Sequence, residues 1–175
     1  MPDSGSVDFP WATHRSLENL GGDVVLVRVD FNVPLSDQGE VTDSRRMRAA
    51  LPTLRELLDR DLKPVLMAHL GRPGGQRIDE LSLRPLVSHL EEFLDCTVRF
   101  AEDCVGAPAE EMVENLKVGE VGLLENLRFH ETEKADDDDF ARELAGLGDA
   151  YVNEAFGAAH RAHASISGVP RHRDP

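Results

Sequence analysis

Arginine, histidine and Asx residues recur in four short clusters that each close an apolar run, and their types and spacing suit the holding of an anion. The clusters read R-V-D-F-N-V-P over 28–34, A-H-L-G-R-P-G-G over 68–75, L-L-E-N-L-R-F-H over 123–130 and N-E-A-F-G-A-A-H-R-A-H over 153–163. A guanidinium is a planar fork that grips carboxylate or phosphate oxygens through two parallel hydrogen bonds, so Arg72, Arg128 and Arg161 are candidate anion ligands. Arg46 lies just beyond the first cluster, and His69 and His160 add ring donors. Asp30 is the one acid of the set, and a carboxylate among cations is useful chiefly to accept a hydrogen bond from a hydroxyl. With Asn32 beside it, the combination suits a small molecule carrying several negative charges and at least one hydroxyl, such as a phosphorylated hydroxy acid or a sugar phosphate.

Each of these residues also has a plainer role open to it. Asp30 and Asn32 can cap a turn before Pro34. His69 can be a buried imidazole bonded to backbone. Arg128 can pair with Glu125 or Glu131, and Arg161 can act as a helix-end cation. For all of these to hold at once, four strand ends would have to gather cations to no purpose.

The elements that must position the clusters follow from hydrophobic pattern. Continuous apolar runs over 24–29, 64–68, 97–100, 121–124 and 150–152 are expected as strands covered on both faces. Met47, Leu51, Leu54 and Leu58, and then Leu86, Leu90, Phe93 and Leu94, recur at helical spacing and are expected as crossover helices. Thr42, Asp43 and Ser44 offer N-caps to the first helix, and the acidic run over 136–139 reads as a cap plus solvated face rather than a metal site. Pro52 falls inside the first helix, which is therefore expected to kink or to start later than its caps suggest. Strands alternating with helices imply a Rossmann-like three-layer α/β/α domain with a mainly parallel sheet. In such a sheet the segments after the strands gather along one edge, which brings Asp30, Asn32, His69, Arg72, Arg128, His160 and Arg161 to a common rim within reach of Arg46.

Composition bounds the rest. The 175 residues fit one domain spanning 1–175, with 33 acidic residues against 19 basic and a formal net charge of −14. Such a balance argues against nucleic-acid and anionic-membrane partners. Residues 1–8 lack the apolar core of a secretory signal, and two cysteines, Cys96 and Cys104, read as reduced thiols, so a cytoplasmic location is expected. Lys63, Lys117 and Lys134 are the only lysines, and acidity combined with lysine scarcity points to a halophilic source. No G-x-x-x-x-G-K-[ST], G-x-G-x-x-G, H-E-x-x-H, paired C-x-x-C or G-x-S-x-G occurs, so nucleotide-loop, zinc and serine-hydrolase chemistry have no candidate residues.

The four motifs, in their order and approximate spacing from about 24 to 168, closely resemble the phosphoglycerate kinase family, and specifically its amino-terminal domain. The resemblance implies transfer of a phosphoryl group between ATP and 3-phosphoglycerate in the full, monomeric enzyme. It places Asp30 and Asn32 at the hydroxyl and carboxylate end of 3-phosphoglycerate, and His69, Arg72, Arg128 and Arg161 around the phosphate. Arg46 matches the arginine that faces the interdomain cleft and stabilises the moving phosphoryl group, which makes it the catalytic candidate. ATP and magnesium are implied for a carboxy-terminal domain absent here, so the fragment is expected to need no cofactor or metal and to be inactive alone. Residues 173–175 depart from the family pattern and suggest a truncation. The competing expectation is a stand-alone anion or sugar-phosphate binding domain with no catalytic role.

Overall fold

Among the described residues five strands form one sheet: β1 (Val24–Arg28), β2 (Lys63–Met67), β3 (Val98–Phe100), β4 (Val121–Leu123) and β5 (Ala150–Asn153), each within a residue of its expected bounds. They run parallel in the order β3-β4-β2-β1-β5, so every strand delivers its carboxyl end to the same edge. This computed structural model describes residues 22–36 and 38–172. The expectations for residues 1–8 and 173–175 lie outside the described residues. No helix among the described residues is long and apolar enough to cross a membrane.

Strand side chains alternate between two cores, which explains why the runs are continuously apolar. Val25, Val27, Leu66, Val121 and Leu123 pack on one face with Met47, Leu54 and Leu57 of α1 (Arg45–Asp59) and Leu86 and Leu90 of α2 (Leu86–Leu94). Leu26, Val65 and Met67 pack on the other with Ala109 and Met112 of α3 (Gly106–Glu114) and Phe140, Ala141 and Leu144 of α5 (Asp138–Gly146). A short helix, α4 (Glu131–Lys134), precedes α5, and a widened turn over Ala164–Gly168 leads into α6 (Val169–Arg171). The three-layer α/β/α architecture is as expected.

Two details differ from the sequence reading. α1 starts at Arg45, directly after its caps, and continues through Pro52 to Asp59. Pro52 occupies the exposed face, where water can take the carbonyl that its ring leaves without a donor. Leu57 rather than Leu58 completes the buried stripe of α1.

The caps are unequal. Ser44 holds the N-cap position of α1 but makes no side-chain bond there, and Asp43 instead accepts from the Arg45 backbone N–H at 3.0 Å. Asp137 caps α5 fully, its carboxylate accepting from the Phe140 N–H at 2.9 Å, with Asp138 and Asp139 filling the first turn. Asp137→Ala is therefore expected to lower stability by about 1 kcal/mol in urea unfolding, and Ser44→Ala by much less. Equal losses would contradict this account of the caps.

Candidate functional site

The carboxyl ends of β1, β2, β4 and β5 open into a cleft of about 280 Å³ lined by Asp30, Asn32, Arg46, His69, Gly71, Arg72, Arg128, Gly157, Ala158 and Arg161. All seven residues singled out from the sequence as ligands line it, though they come from five separate stretches of chain. His160 does not; it is exposed beside Arg161, and Gly157 and Ala158, a few residues earlier, line the cleft.

The loops are fixed to one another by side chains. Asn32 Oδ1 accepts from the Gly71 N–H at 2.9 Å, tying the β1 loop to the β2 loop. Gly71 itself has φ +65°, and a Cβ there would come within 2.8 Å of the Leu81 side chain, so both backbone and packing favour glycine. Asn126, fully buried, clamps the β2 loop to the turn after β4: its Nδ2 donates to the Leu70 and Leu81 carbonyls at 2.8 and 2.9 Å, while Oδ1 accepts from the Leu70 and Arg128 N–H groups. The neighbouring Glu125 accepts from Ser82 Oγ and from the Leu83 and Asn126 N–H groups.

Charges inside the cleft are unevenly matched. Asp30 Oδ2 accepts from Arg46 Nη1 at 2.8 Å, so the acid and the arginine nearest the mouth hold each other. Arg128 pairs with neither Glu125 nor Glu131. Its Nη1 donates to the Gly71 carbonyl at 2.9 Å, and its Nε is buried with no hydrogen-bond partner among the described residues. Burial, and then the positive charges of Arg28, Arg161 and Arg72, push the Arg128 guanidinium below its ordinary pKa. Like charges held together with a donor left unpaired are costly in the folded chain alone, and an anion would repay that cost.

His69 is 7% exposed and is held by a side chain rather than by backbone: its Nδ1 lies 2.8 Å from Arg28 Nη2. Burial first, then Arg28, Arg128, His163 and Arg161, push its pKa down to about 3, so the ring is neutral near pH 7. His163 is also pushed down, by burial and then by Arg128 and Arg161.

Sequence reasoning missed Arg28, Asn126, Glu133 and Ser165, which stand behind the cleft. Arg28 has no solvent exposure and donates through Nε to Ser165 Oγ at 2.9 Å and through Nη1 to the Val29 carbonyl. Ser165 Oγ donates in turn to Glu133 Oε1 at 2.6 Å. The available signal was a charged residue closing an otherwise apolar strand.

The phosphoglycerate kinase family model matches residues 16–174. The chain belongs to the phosphoglycerate kinase family. It is 52% identical over 157 residues to a phosphoglycerate kinase of Synechococcus sp. (strain CC9311), covering 90% of this chain and 39% of that protein. It is 50% identical over 153 residues to the enzyme of Chlorobium limicola, covering 87% of this chain and 38% of that protein. Among solved structures it superposes on phosphoglycerate kinase from Pyrococcus horikoshii OT3 with a TM-score of 0.79 at 34% identity, covering 89% of this chain and 39% of that one. For the Coxiella burnetii protein of the family the TM-score is 0.76 at 31% identity. The chain thus spans about two fifths of the length of these family members.

A site residue that serves a ligand rather than the fold should be cheap to remove. Arg128→Met is expected to leave the free energy of unfolding within about 1 kcal/mol of the parent, because it trades one backbone bond for relief of an unpaired buried donor. Asn126→Ala, which cuts the clamp between loops, is expected to cost about 1–3 kcal/mol. Denaturant unfolding of both variants checks the contrast; a large loss in Arg128→Met would make that arginine a structural residue.

Proposed function

We propose that this chain is the 3-phosphoglycerate-binding portion of a phosphoglycerate kinase. The observation that carries the reading is the convergence of four arginines, a neutral histidine, Asn32 and a single carboxylate on one cleft at the end of a parallel sheet, in a chain of this family. In this reading Arg72, Arg128 and Arg161, with His69, surround the phosphate, while Asp30 and Asn32 meet the hydroxyl and carboxylate. Arg46 lies at the mouth, 54% exposed, where it can leave Asp30 and follow a phosphoryl group arriving from outside.

Phosphoryl transfer asks a protein mainly to align the reactants and to stabilise charge spreading over the transferred group. The present residues can orient the acceptor carboxylate and supply positive charge to it. They do not fit magnesium, which takes oxygen ligands: the cleft offers one carboxylate, Asp30, and it is engaged by Arg46. ATP and magnesium are therefore assigned to other sequence of the full-length enzyme, and the chain alone is expected to bind the acceptor without turning it over.

Isothermal titration of the chain with 3-phosphoglycerate tests this. Saturable binding is expected, and Arg72→Ala is expected to weaken it by about 1.5–3 kcal/mol, the range for a hydrogen bond to a charged group, with stability little changed. Absence of binding, or equal binding by Arg72→Ala, would contradict the assignment. Sugar phosphates binding better than 3-phosphoglycerate would favour a site for a different phosphorylated substrate.

The charge of −14 supports a second, separate reading: a protein suited to concentrated salt. At high ionic strength the Debye length contracts to about 3 Å and carboxylate repulsion is screened. The melting temperature is expected to rise with potassium chloride past about 1 M. A flat or falling trend would remove the halophile reading.

A further inference from the structure

The network behind the cleft determines more than the fold. Arg28 closes β1 with its guanidinium completely buried, and two of its three nitrogens are spent on Ser165 Oγ and the Val29 carbonyl. The third, Nη2, meets His69 Nδ1 at 2.8 Å. A guanidinium has donors and no acceptor, so the imidazole nitrogen facing it must present a lone pair. The proton of His69 then resides on Nε2, the ring nitrogen left to serve the cleft that His69 lines. Glu133, 1% exposed, supplies the countercharge through Ser165, which accepts from Arg28 and donates to Glu133; the Ser165 backbone N–H adds a second bond to that carboxylate at 2.9 Å.

We propose that Arg28 is a positioning residue that fixes His69 as the neutral tautomer protonated on Nε2, giving the cleft a hydrogen-bond donor that carries no charge. The arrangement divides labour within the site. The arginines supply charge, and His69 supplies direction, donating to an oxygen of the bound anion without adding to the repulsion among Arg28, Arg128 and Arg161. Those arginines, with His163, are the charged and titratable groups that face His69 from the neighbouring elements, and all of them oppose its protonation. Affinity should accordingly follow the ionisation of the ligand and not that of His69. This role in binding rests on the reading of the cleft as an acceptor site, whereas the tautomer does not.

Long-range proton–nitrogen correlation spectra of the uniformly nitrogen-15-labelled chain, without ligand, read the tautomer directly. The expected pattern is a single Nε2-protonated, neutral ring for His69 that persists from about pH 8 down to about pH 5, where an ordinary histidine is largely charged. An Nδ1-protonated ring, or protonation near the usual value of about 6.5, would overturn the proposal whether or not any ligand binds. Arg28→Lys keeps the charge but loses the fork, and in the folded variant His69 is expected to populate both tautomers. Retention of the pure Nε2-protonated form there would mean that Arg28 does not fix it. If Arg28→Lys fails to fold, a through-hydrogen-bond coupling between Arg28 Nη2 and His69 Nδ1 is expected in the parent, and its absence would overturn the positioning role. Titration of 3-phosphoglycerate into the same variant should show affinity reduced about tenfold, roughly 1.4 kcal/mol. An altered tautomer with unaltered affinity would overturn the binding role of the ring, while failure of the parent to bind would fault the acceptor reading and leave the tautomer result standing.

Discussion

Burying the Arg28 guanidinium beneath the carboxyl edge of the sheet is the constraint to which the surrounding structure answers. Removing such an ion from water costs several kcal/mol unless its donors are matched and a countercharge is near. Here the matching draws in the adjacent Val29 carbonyl and three distant parts of the chain: His69 beyond β2, Ser165 in the turn after β5, and Glu133 in α4. Burial lowers the Arg28 pKa and raises that of Glu133, and each of the two charges opposes the other's shift. Tyr151 joins the network by donating its hydroxyl to the Ser165 carbonyl at 2.8 Å. The result ties the two central strands, the edge strand β5 and the α4 segment into one polar unit under the cleft.

Parallel register explains why this unit and the ligand-facing residues share a location. All strand ends emerge on one side, so the side chains that follow them meet without needing long loops. At that edge the Asn126 clamp and the Asn32–Gly71 contact tie the loops to one another above the buried side chains of Phe31, Val33 and Leu70. The cleft arginines, by contrast, are left partly unmatched. A chain of net charge −14 gathers its cations where they repel one another and leaves the Arg128 Nε unpaired, a pattern that favours a bound anion over stability of the empty fold.

Much of this was legible in sequence because hydrophobic period and strand-end position are local properties. Five continuous apolar runs gave five strands, and the polar residues just after four of them gave the cleft. What the sequence hid is relational. Arg28 reads as an ordinary polar residue ending a strand, since its partner Ser165 lies 137 positions away. Glu133 and Ser165 lie 32 positions apart, and neither has a motif of its own. Arg128 looked able to pair with Glu125, yet Glu125 is consumed by Ser82 and two backbone N–H groups. Pro52 looked disruptive because its exposure on α1 cannot be known until the buried face of that helix is.

We propose that the strand-end cleft, and no other surface, holds 3-phosphoglycerate. Backbone chemical-shift mapping during titration with 3-phosphoglycerate locates the ligand residue by residue. The largest shifts are expected at the amides of Asn32, Gly71, Arg72, Arg128, Gly157 and Ala158, with α5, which does not line the cleft, unaffected. Shifts concentrated away from that cleft, or spread thinly over the surface, would contradict it.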